Sequence, residues 1–408
     1  MPDRHPQPAG IAVAHLTTTH TADDARVFTK ECLSLARGGY DVSLVIPDNR
    51  FVTADGRPVR RQDVDIVALA RKDGLVKRLR STMPALVLRA LRLKAGVYHI
   101  HDPELIPGGL LLRLLGKRVI YDVHEDLPRD ILTRTWLPPA LRPGIAAVAE
   151  AVEWIAGRAM SGVVAATPTI ARRFPRHKTV LVQNFALFGE FADGSGDGPA
   201  IPFAERGGVA FAGSICADRC AVEMIDAVER VTGTPQARLL LAGPIESAGL
   251  RERMQARPGW ARVDYRGQTD RAGVQRLLAE SRVGLALYYP TQNYLDTQPV
   301  KLFEYMAAGI PVITADFPYH RGIVEGHGCG LCVPPTDLDA VATAIQWVFD
   351  HPGEAEAMGR RGREAVLAHY NWVNEERELM RLYNRIAPTP AQTCLPAELV
   401  CGETKSRS

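Results

Sequence analysis

Lys301 and Glu304 stand three residues apart in the stretch Gln298-Pro-Val-Lys-Leu-Phe-Glu-Tyr-Met-Ala-Ala-Gly-Ile-Pro-Val-Ile313. Pro299 suits the first turn of a helix, where its missing N–H costs least, and Gly309 before Pro311 suits its end, so a helix of about ten residues is expected. The N-terminus of such a helix presents free backbone donors and a positive dipole end to a phosphate, and Lys301 adds a full charge in the same turn. Glu304 falls on the same face. A carboxylate there can accept both vicinal hydroxyls of a ribose, so that one helix would grip diphosphate and sugar together. The same spacing also fits an ordinary surface Lys–Glu pair on a capped helix.

Two further clusters sit where strands should end. Tyr98-His-Ile-His-Asp-Pro-Glu104 and Tyr121-Asp-Val-His-Glu-Asp126 close two successive apolar segments. Strand alternation puts His99 and His101 on one side, and His124 is a second candidate at the edge where ligands bind in open parallel sheets. The His pair with Asp102 and Glu104 also has the composition of a metal site, set against the ordinary structural histidine. The first strand runs into His15-Leu-Thr-Thr-Thr-His20-Thr-Ala-Asp-Asp-Ala-Arg26, which offers His20, Asp24 and Arg26. Arg26 suits a phosphate or, equally, a salt bridge to Asp23 or Asp24. Cys216-x3-Cys220 and Cys329-x2-Cys332 supply four thiols, but no nearby His completes either pair, so no metal site is expected.

The elements that must position these residues alternate. Candidate strands at Gly10–Leu16, Asp41–Ile46, Asp65–Ala68, Val97–Ile100, Arg118–Tyr121, Gly162–Ala165 and Thr179–Val182 are separated by amphipathic helices such as Asp23–Arg37, Leu105–Leu115 and Arg142–Arg158. A Gly-rich stretch follows Asn184, and then six more strands, Gly208–Ala212, Arg238–Ala242, Ala261–Tyr265, Val283–Leu287, Pro311–Thr314 and Gly330–Val333. Helices at Leu338–Phe349, Gly353–His369 and Trp372–Ile386 precede a polar, Pro-rich tail. The pattern predicts an α/β protein of two doubly wound, Rossmann-like domains facing each other across a cleft. Residues 1–184 form the first domain, joined by the helix 372–386. Residues 185–206 form a linker, 207–371 the second domain, and 387–408 a disordered tail.

Composition agrees. At 408 residues the chain is long for one core, and 46% hydrophobic with 23% charged residues is a globular balance. A net charge of +3 disfavours a general nucleic-acid binder. The N-terminus has no apolar run of the secretory kind and the seven cysteines no disulfide-like spacing, so the chain reads as cytoplasmic. Ile145–Ala166, interrupted by Glu150, Glu153 and Arg158, reads as a buried helix rather than a membrane span. Between Arg71 and Lys94 eight Lys or Arg residues face the single acid Asp73 among regularly placed leucines. That stretch suits contact with anionic lipid at the inner membrane face or, alternatively, a core helix with a solvated basic side.

Phe303-Glu-Tyr-Met-Ala-Ala-Gly-Ile-Pro-Val-Ile313 resembles the signature of family 4 retaining glycosyltransferases, which have the GT-B fold, and the likeness runs from Ile11 to Ile386. In that family two acids eight positions apart flank the nucleotide-sugar site. Glu304 matches the second, the ribose contact, while Asp296 stands where Glu is usual. The family also holds the diphosphate with a Gly-Arg and a later Lys after the first strand of the second domain. This chain reads Gly213-Ser-Ile-Cys-Ala-Asp-Arg219, with Ser214 in place of the Arg and Arg219 in the Lys position. His101 matches the histidine near the transferred sugar. The usual Gly-Gly turn after the first strand is absent.

The resemblance implies transfer of a sugar from a nucleoside diphosphate donor to an acceptor hydroxyl with retention of configuration, without metal or other cofactor. It implies a role in making polysaccharide, glycolipid or glycosylated metabolites. The first domain would take the acceptor side and the second the donor side, with His101, near the transferred sugar, and Arg219 and Lys301, serving the departing diphosphate, as catalytic residues, Gly213, Ser214, Asp296, Lys301 and Glu304 binding the donor, and His20, Arg26 and His124 as further cleft contacts. A sugar-nucleotide epimerase of the same fold, or a non-catalytic carbohydrate-binding descendant, would share these features.

Overall fold

A computed structural model describes residues 10–72, 74, 77–134, 137–185, 201–233, 236–295 and 298–388. The chain divides into two units, Met1–Gln183 with Glu375–Ser408, and Asn184–Asn374.

Unit 1 is built on β1 (Ala12–Leu16), β2 (Asp41–Pro47), β3 (Val59–Arg61), β4 (Val64–Leu69), β5 (Val97–Ile100), β6 (Arg118–Val123), β7 (Gly162–Ala165) and β8 (Thr179–Leu181), ordered β3-β4-β2-β1-β5-β6-β7-β8. All neighbours are parallel except β3, an antiparallel edge strand. β3 escapes the sequence reading because three residues with two arginines carry no apolar alternation. The order reverses between β1 and β5, whose partners include His15 with His99, and a reversal of this kind opens a crevice at the strands' carboxyl ends. The core of unit 1 gathers Leu16, Val45, Tyr98, Ile100, Val119 and Val163.

Unit 2 repeats the plan with β9 (Gly208–Ala212), β10 (Arg238–Ala242), β11 (Val263–Tyr265), β12 (Ser281–Ala286), β13 (Val312–Ala315) and β14 (Gly330–Val333), all parallel in the order β11-β10-β9-β12-β13-β14. β9 and β12 are buried along their whole length, the burial expected of parallel strands covered on both faces. Phe185 packs 4.7 Å from Phe303 and 5.4 Å from Tyr370, ring centre to ring centre, so the second core begins where the sequence suggests a linker. Residues 186–200 of that linker lie outside the described residues.

Several boundaries move for physical reasons. The helix carrying Lys301 and Glu304 is Val300–Ala307, with Pro299 outside it in the cap position and Gly309, at φ +71°, ending it. Its register is fixed by Tyr305, whose ring fills the space a side chain at Gly284 would need: an added Cβ would lie 2.3 Å from that ring. The first helix is a π-helix over Ala25–Cys32 continued by an α-helix Leu33–Arg37, rather than one α-helix. Ala387 is buried and its carbonyl accepts a hydrogen bond from Tyr40, so ordered structure continues beyond the expected start of the tail. Residues 389–408 are outside the described residues.

The helix Arg142–Ala159 is corrected most. Only Ala146, Glu153, Ala156 and Gly157 are buried, while Ile145, Val148, Val152, Trp154 and Ile155 are exposed. It lies along the surface of unit 1, and no helix among the described residues is long and apolar enough to cross a membrane.

Candidate active site

In unit 2 the site forms where β9 ends. Gly213 takes φ +129°, a conformation open to glycine, and donates its N–H to the Ala242 carbonyl at 2.8 Å. Having no side chain, it leaves bare backbone beside two cations: a Cβ there would stand 3.6 Å from Lys301 Nζ and 3.8 Å from Arg219 Nη1. Gly243, after β10, fits against the same turn, and a Cβ on it would come 2.0 Å from the Gly213 carbonyl oxygen. Its φ of +136° adds strain to that clash. Gly243→Ala is therefore expected to destabilise unit 2 by at least about 1–3 kcal/mol, read as a lower urea midpoint; an unchanged midpoint would show that the turn is free to move.

Lys301 and Glu304 do not pair with each other, which removes the surface-pair alternative. Glu304 is held by Arg271, Nη1 to Oε1 at 2.7 Å. Lys301 is buried, with Nζ 3.7 Å from the centre of the Phe211 ring and no hydrogen-bond acceptor. Burial, and then the Arg219 charge, push its ammonium well below the usual lysine range against the pull of Glu304. Arg219 donates from Nη1 to the Ser214 carbonyl at 2.9 Å, so residue 214 contributes through backbone. Arg219 Nε and Gln298 Nε2 are, like Lys301 Nζ, buried N–H groups without an acceptor. The helix start at Val300 has no side-chain cap. Donors of this kind are costly to leave unmade and mark a place for an anion. Asp296 lies outside the described residues.

In unit 1 the carboxyl ends of β1, β5 and β6 carry a buried polar network. Asp102 is fixed by Thr17 Oγ1 at 2.6 Å, by Thr18 N at 2.7 Å and by the Thr19 hydroxyl. Glu104 pairs with Arg78 at 2.9 Å, so neither acid joins His99 and His101 as the metal composition suggested. His101 is 2% exposed and uses both ring nitrogens, Nε2 toward His15 Nδ1 at 2.8 Å and Nδ1 toward Asp122 at 3.1 Å. Burial drives its pKa down despite Asp122. His101 thus has both nitrogens engaged within unit 1, and the better exposed imidazoles are His124, hydrogen-bonded to Asp122, and His20, 2.7 Å from Asp24. The His20 and His124 rings lie 5.3 Å apart.

Arg26 is likewise engaged within unit 1. Its guanidinium is buried between Asp122 at 3.0 Å and Glu31 at 3.1 Å and donates to the Val182 carbonyl at 2.9 Å. Nor does it pair with Asp23 or Asp24. Asp24 instead caps the π-helix, accepting from the backbone of Arg26 and Val27, and Asp23 binds Arg50 and Arg61. Arg271, Gln298 as a donor, and Glu31 were not among the expected site residues, and Asp122 stood in a quoted cluster without a role. Cys216, Cys220, Cys329 and Cys332 belong to neither group of side chains that, among the described residues, come within metal-ligand reach of one another.

A glycosyl transferase 4-like domain model matches residues 25–184 and a glycosyl transferase-like model matches residues 219–381. D-rhamnosyltransferase WbpZ of Pseudomonas aeruginosa is 28% identical over 29% of this chain and 30% of its own length. A phosphatidyl-myo-inositol mannosyltransferase of Mycobacterium leprae is 28% identical over 31% of the chain and 32% of its own length. The chain thus spans about a third of the length of these two relatives. The structure of Anabaena HepE in complex with UDP superposes with a TM-score of 0.67 at 12% identity, covering 92% of this chain and 100% of that one, a likeness of fold. With the two matched models covering successive halves and each half a Rossmann-like sheet, the chain belongs to the family 4 glycosyltransferases of the GT-B fold.

Proposed function

We propose that the chain transfers a sugar from a nucleoside diphosphate sugar to an acceptor hydroxyl with retention of configuration, in the synthesis of a polysaccharide, glycolipid or glycosylated metabolite. The observation that carries this reading is the buried Lys301 Nζ, lacking an acceptor and close to Gly213 and Arg219. A diphosphate supplies the missing acceptors. Lys301, Arg219, Gln298 and the start of the helix Val300–Ala307 bind it, and Glu304, steadied by Arg271, accepts the ribose hydroxyls. In transfer the bond from the anomeric carbon to the diphosphate oxygen breaks and the acceptor oxygen bonds on the same face. The acceptor proton passes to the departing phosphate oxygen, so no covalent nucleophile and no metal is required at this site. His124 and His20 are the unit 1 side chains proposed for the acceptor.

The test is incubation with a panel of nucleotide sugars. Slow release of nucleoside diphosphate, accelerated by an acceptor, is the expected result. Epimerised donor would assign the chain to sugar-nucleotide epimerases, and binding without turnover to carbohydrate-binding proteins. Glu304→Ala should raise the donor KM by about tenfold, the worth of a charge-assisted hydrogen bond, and unchanged donor kinetics would remove Glu304 from the ribose site.

The acceptor proposed is lipid-linked. The exposed Ile145, Val148, Val152, Trp154 and Ile155 support contact with an anionic membrane from the cytoplasmic side, as do the exposed Leu79 and Leu88 within the basic stretch Arg71–Lys94. Similarity to the phosphatidyl-myo-inositol mannosyltransferase of Mycobacterium leprae fits such an acceptor. Flotation with phosphatidylglycerol vesicles but not with phosphatidylcholine vesicles is expected, and Val148→Glu with Trp154→Glu should abolish it. Equal flotation on both vesicle types would remove the anionic part of the proposal.

A further inference from the structure

Three imidazoles and a carboxylate meet inside unit 1. His15 and His99 are register partners on β1 and β5, and His101 follows on the same side of the sheet. Their ring centres lie 4.6 to 5.1 Å apart, His101 stacking on both His15 and His99. Glu31 reaches them from the π-helix Ala25–Cys32, a rare geometry associated with functional sites. One ligand atom from each of His15, Glu31, His99 and His101 lies within 4.8 Å of every other, and all four residues are buried.

His15 Nδ1 and His101 Nε2 stand 2.8 Å apart and would exchange that mutual hydrogen bond for the ion, while the rest of the group's hydrogen bonding is incomplete. Neither oxygen of the fully buried Glu31 accepts a hydrogen bond; Arg26 Nε stands 3.1 Å from Oε1 without directing its N–H there. His99 Nε2 has no partner, while its Nδ1 is 3.0 Å from the Tyr383 hydroxyl. Two acids, Glu31 and Asp122, stand beside the one guanidinium of Arg26.

We propose that His15, Glu31, His99 and His101 form a metal site for a divalent ion of the zinc class. Imidazoles with one carboxylate suit zinc, and four protein ligands without solvent make a structural site rather than one with an open catalytic position. The ion would tie the ends of β1 and β5 to the π-helix and set the orientation of His101. A second grouping, Glu31, His101, Asp122 and His124, is less suited because Arg26 already neutralises Asp122. The site is separate from the donor-binding residues of unit 2 and does not depend on the proposed transfer reaction.

The test uses the full chain without a histidine tag, produced in zinc-supplemented medium and dialysed without chelators. Elemental analysis should find about one zinc per chain, and dipicolinate should lower the melting temperature. Cobalt loading should give the visible absorption of a tetrahedral ion. Glu31→Gln and His99→Gln should each reduce bound metal at least tenfold, whereas Glu304→Ala should retain it. Should the two buried variants fail to fold, the cobalt spectrum and the chelator shift of the native chain decide. Less than a tenth of an equivalent of metal with no chelator effect would overturn the site and leave Glu31 as a buried acid holding a proton. Undiminished metal in a folded Glu31→Gln would overturn its ligand set.

Discussion

Replacing Lys301 with methionine is expected to lower kcat/KM for the nucleotide sugar by about 100- to 1,000-fold, the usual cost of removing one preorganised group that stabilises developing charge. The same change should leave the empty protein at least as stable. The native ammonium is buried over the Phe211 ring without an acceptor, and a partnerless buried cation weakens the fold. The sign of the pH dependence follows. Because burial and Arg219 lower the Lys301 pKa in the folded state, the unfolded chain binds more protons between that lowered value and the ordinary lysine value of about 10.4. Stability of the empty protein therefore rises with pH through this window. A diphosphate favours the charged form, so above the folded pKa its binding takes up a proton and weakens as pH rises. Calorimetric titration with a nucleoside diphosphate in two buffers of different ionisation enthalpy reads that proton directly. A variant that loses stability but keeps turnover would make Lys301 a structural residue.

Apart from the antiparallel edge strand β3, the strands were legible because both sheets are parallel and covered by helices, which leaves short, almost continuous apolar runs such as Gly208–Ala212 and Gly330–Val333 between amphipathic helices. The helix carrying Lys301 and Glu304 was legible from Pro299, Gly309 and the Lys–Glu spacing. Its partners were not. Arg271 meets Glu304 from another helix, 33 residues earlier in the chain, and nothing local marks the pairing. The exposed side of Arg142–Ala159 was also hidden, since an apolar helix reads the same whether it is covered by protein or left on the surface. His101 shows a third limit: strand alternation correctly placed it beside His99, but the engagement of both its nitrogens depends on His15 and Asp122 on neighbouring strands.

Arg26 is where local reading failed most completely, and it carries the largest expected effect on stability. A π-helix brings residues five apart into one line, so Arg26 meets Glu31 rather than the nearby Asp23 or Asp24 and reaches Asp122 across the sheet. Arg26→Met should destabilise unit 1 by about 3–5 kcal/mol, because the neighbouring charges stay buried without their partner. The corresponding fall in melting temperature is on the order of 10 °C. Burial alone would raise the Asp122 pKa, but Arg26, His124 and His101 hold it well below the usual carboxylate range. A carboxyl of depressed pKa contributes stability above its unfolded value of about 3.9 and loses it as pH falls through the folded value. Without Arg26 the Asp122 pKa rises, and this contribution shrinks or reverses at neutral pH. The loss measured by urea unfolding should therefore be greater near neutrality than in mild acid, and Asp122→Asn in the Arg26→Met background should recover part of it. Equal losses at both pH values, with no recovery in the double variant, would show that Arg26 contributes by packing and its bond to the Val182 carbonyl rather than by balancing buried acids.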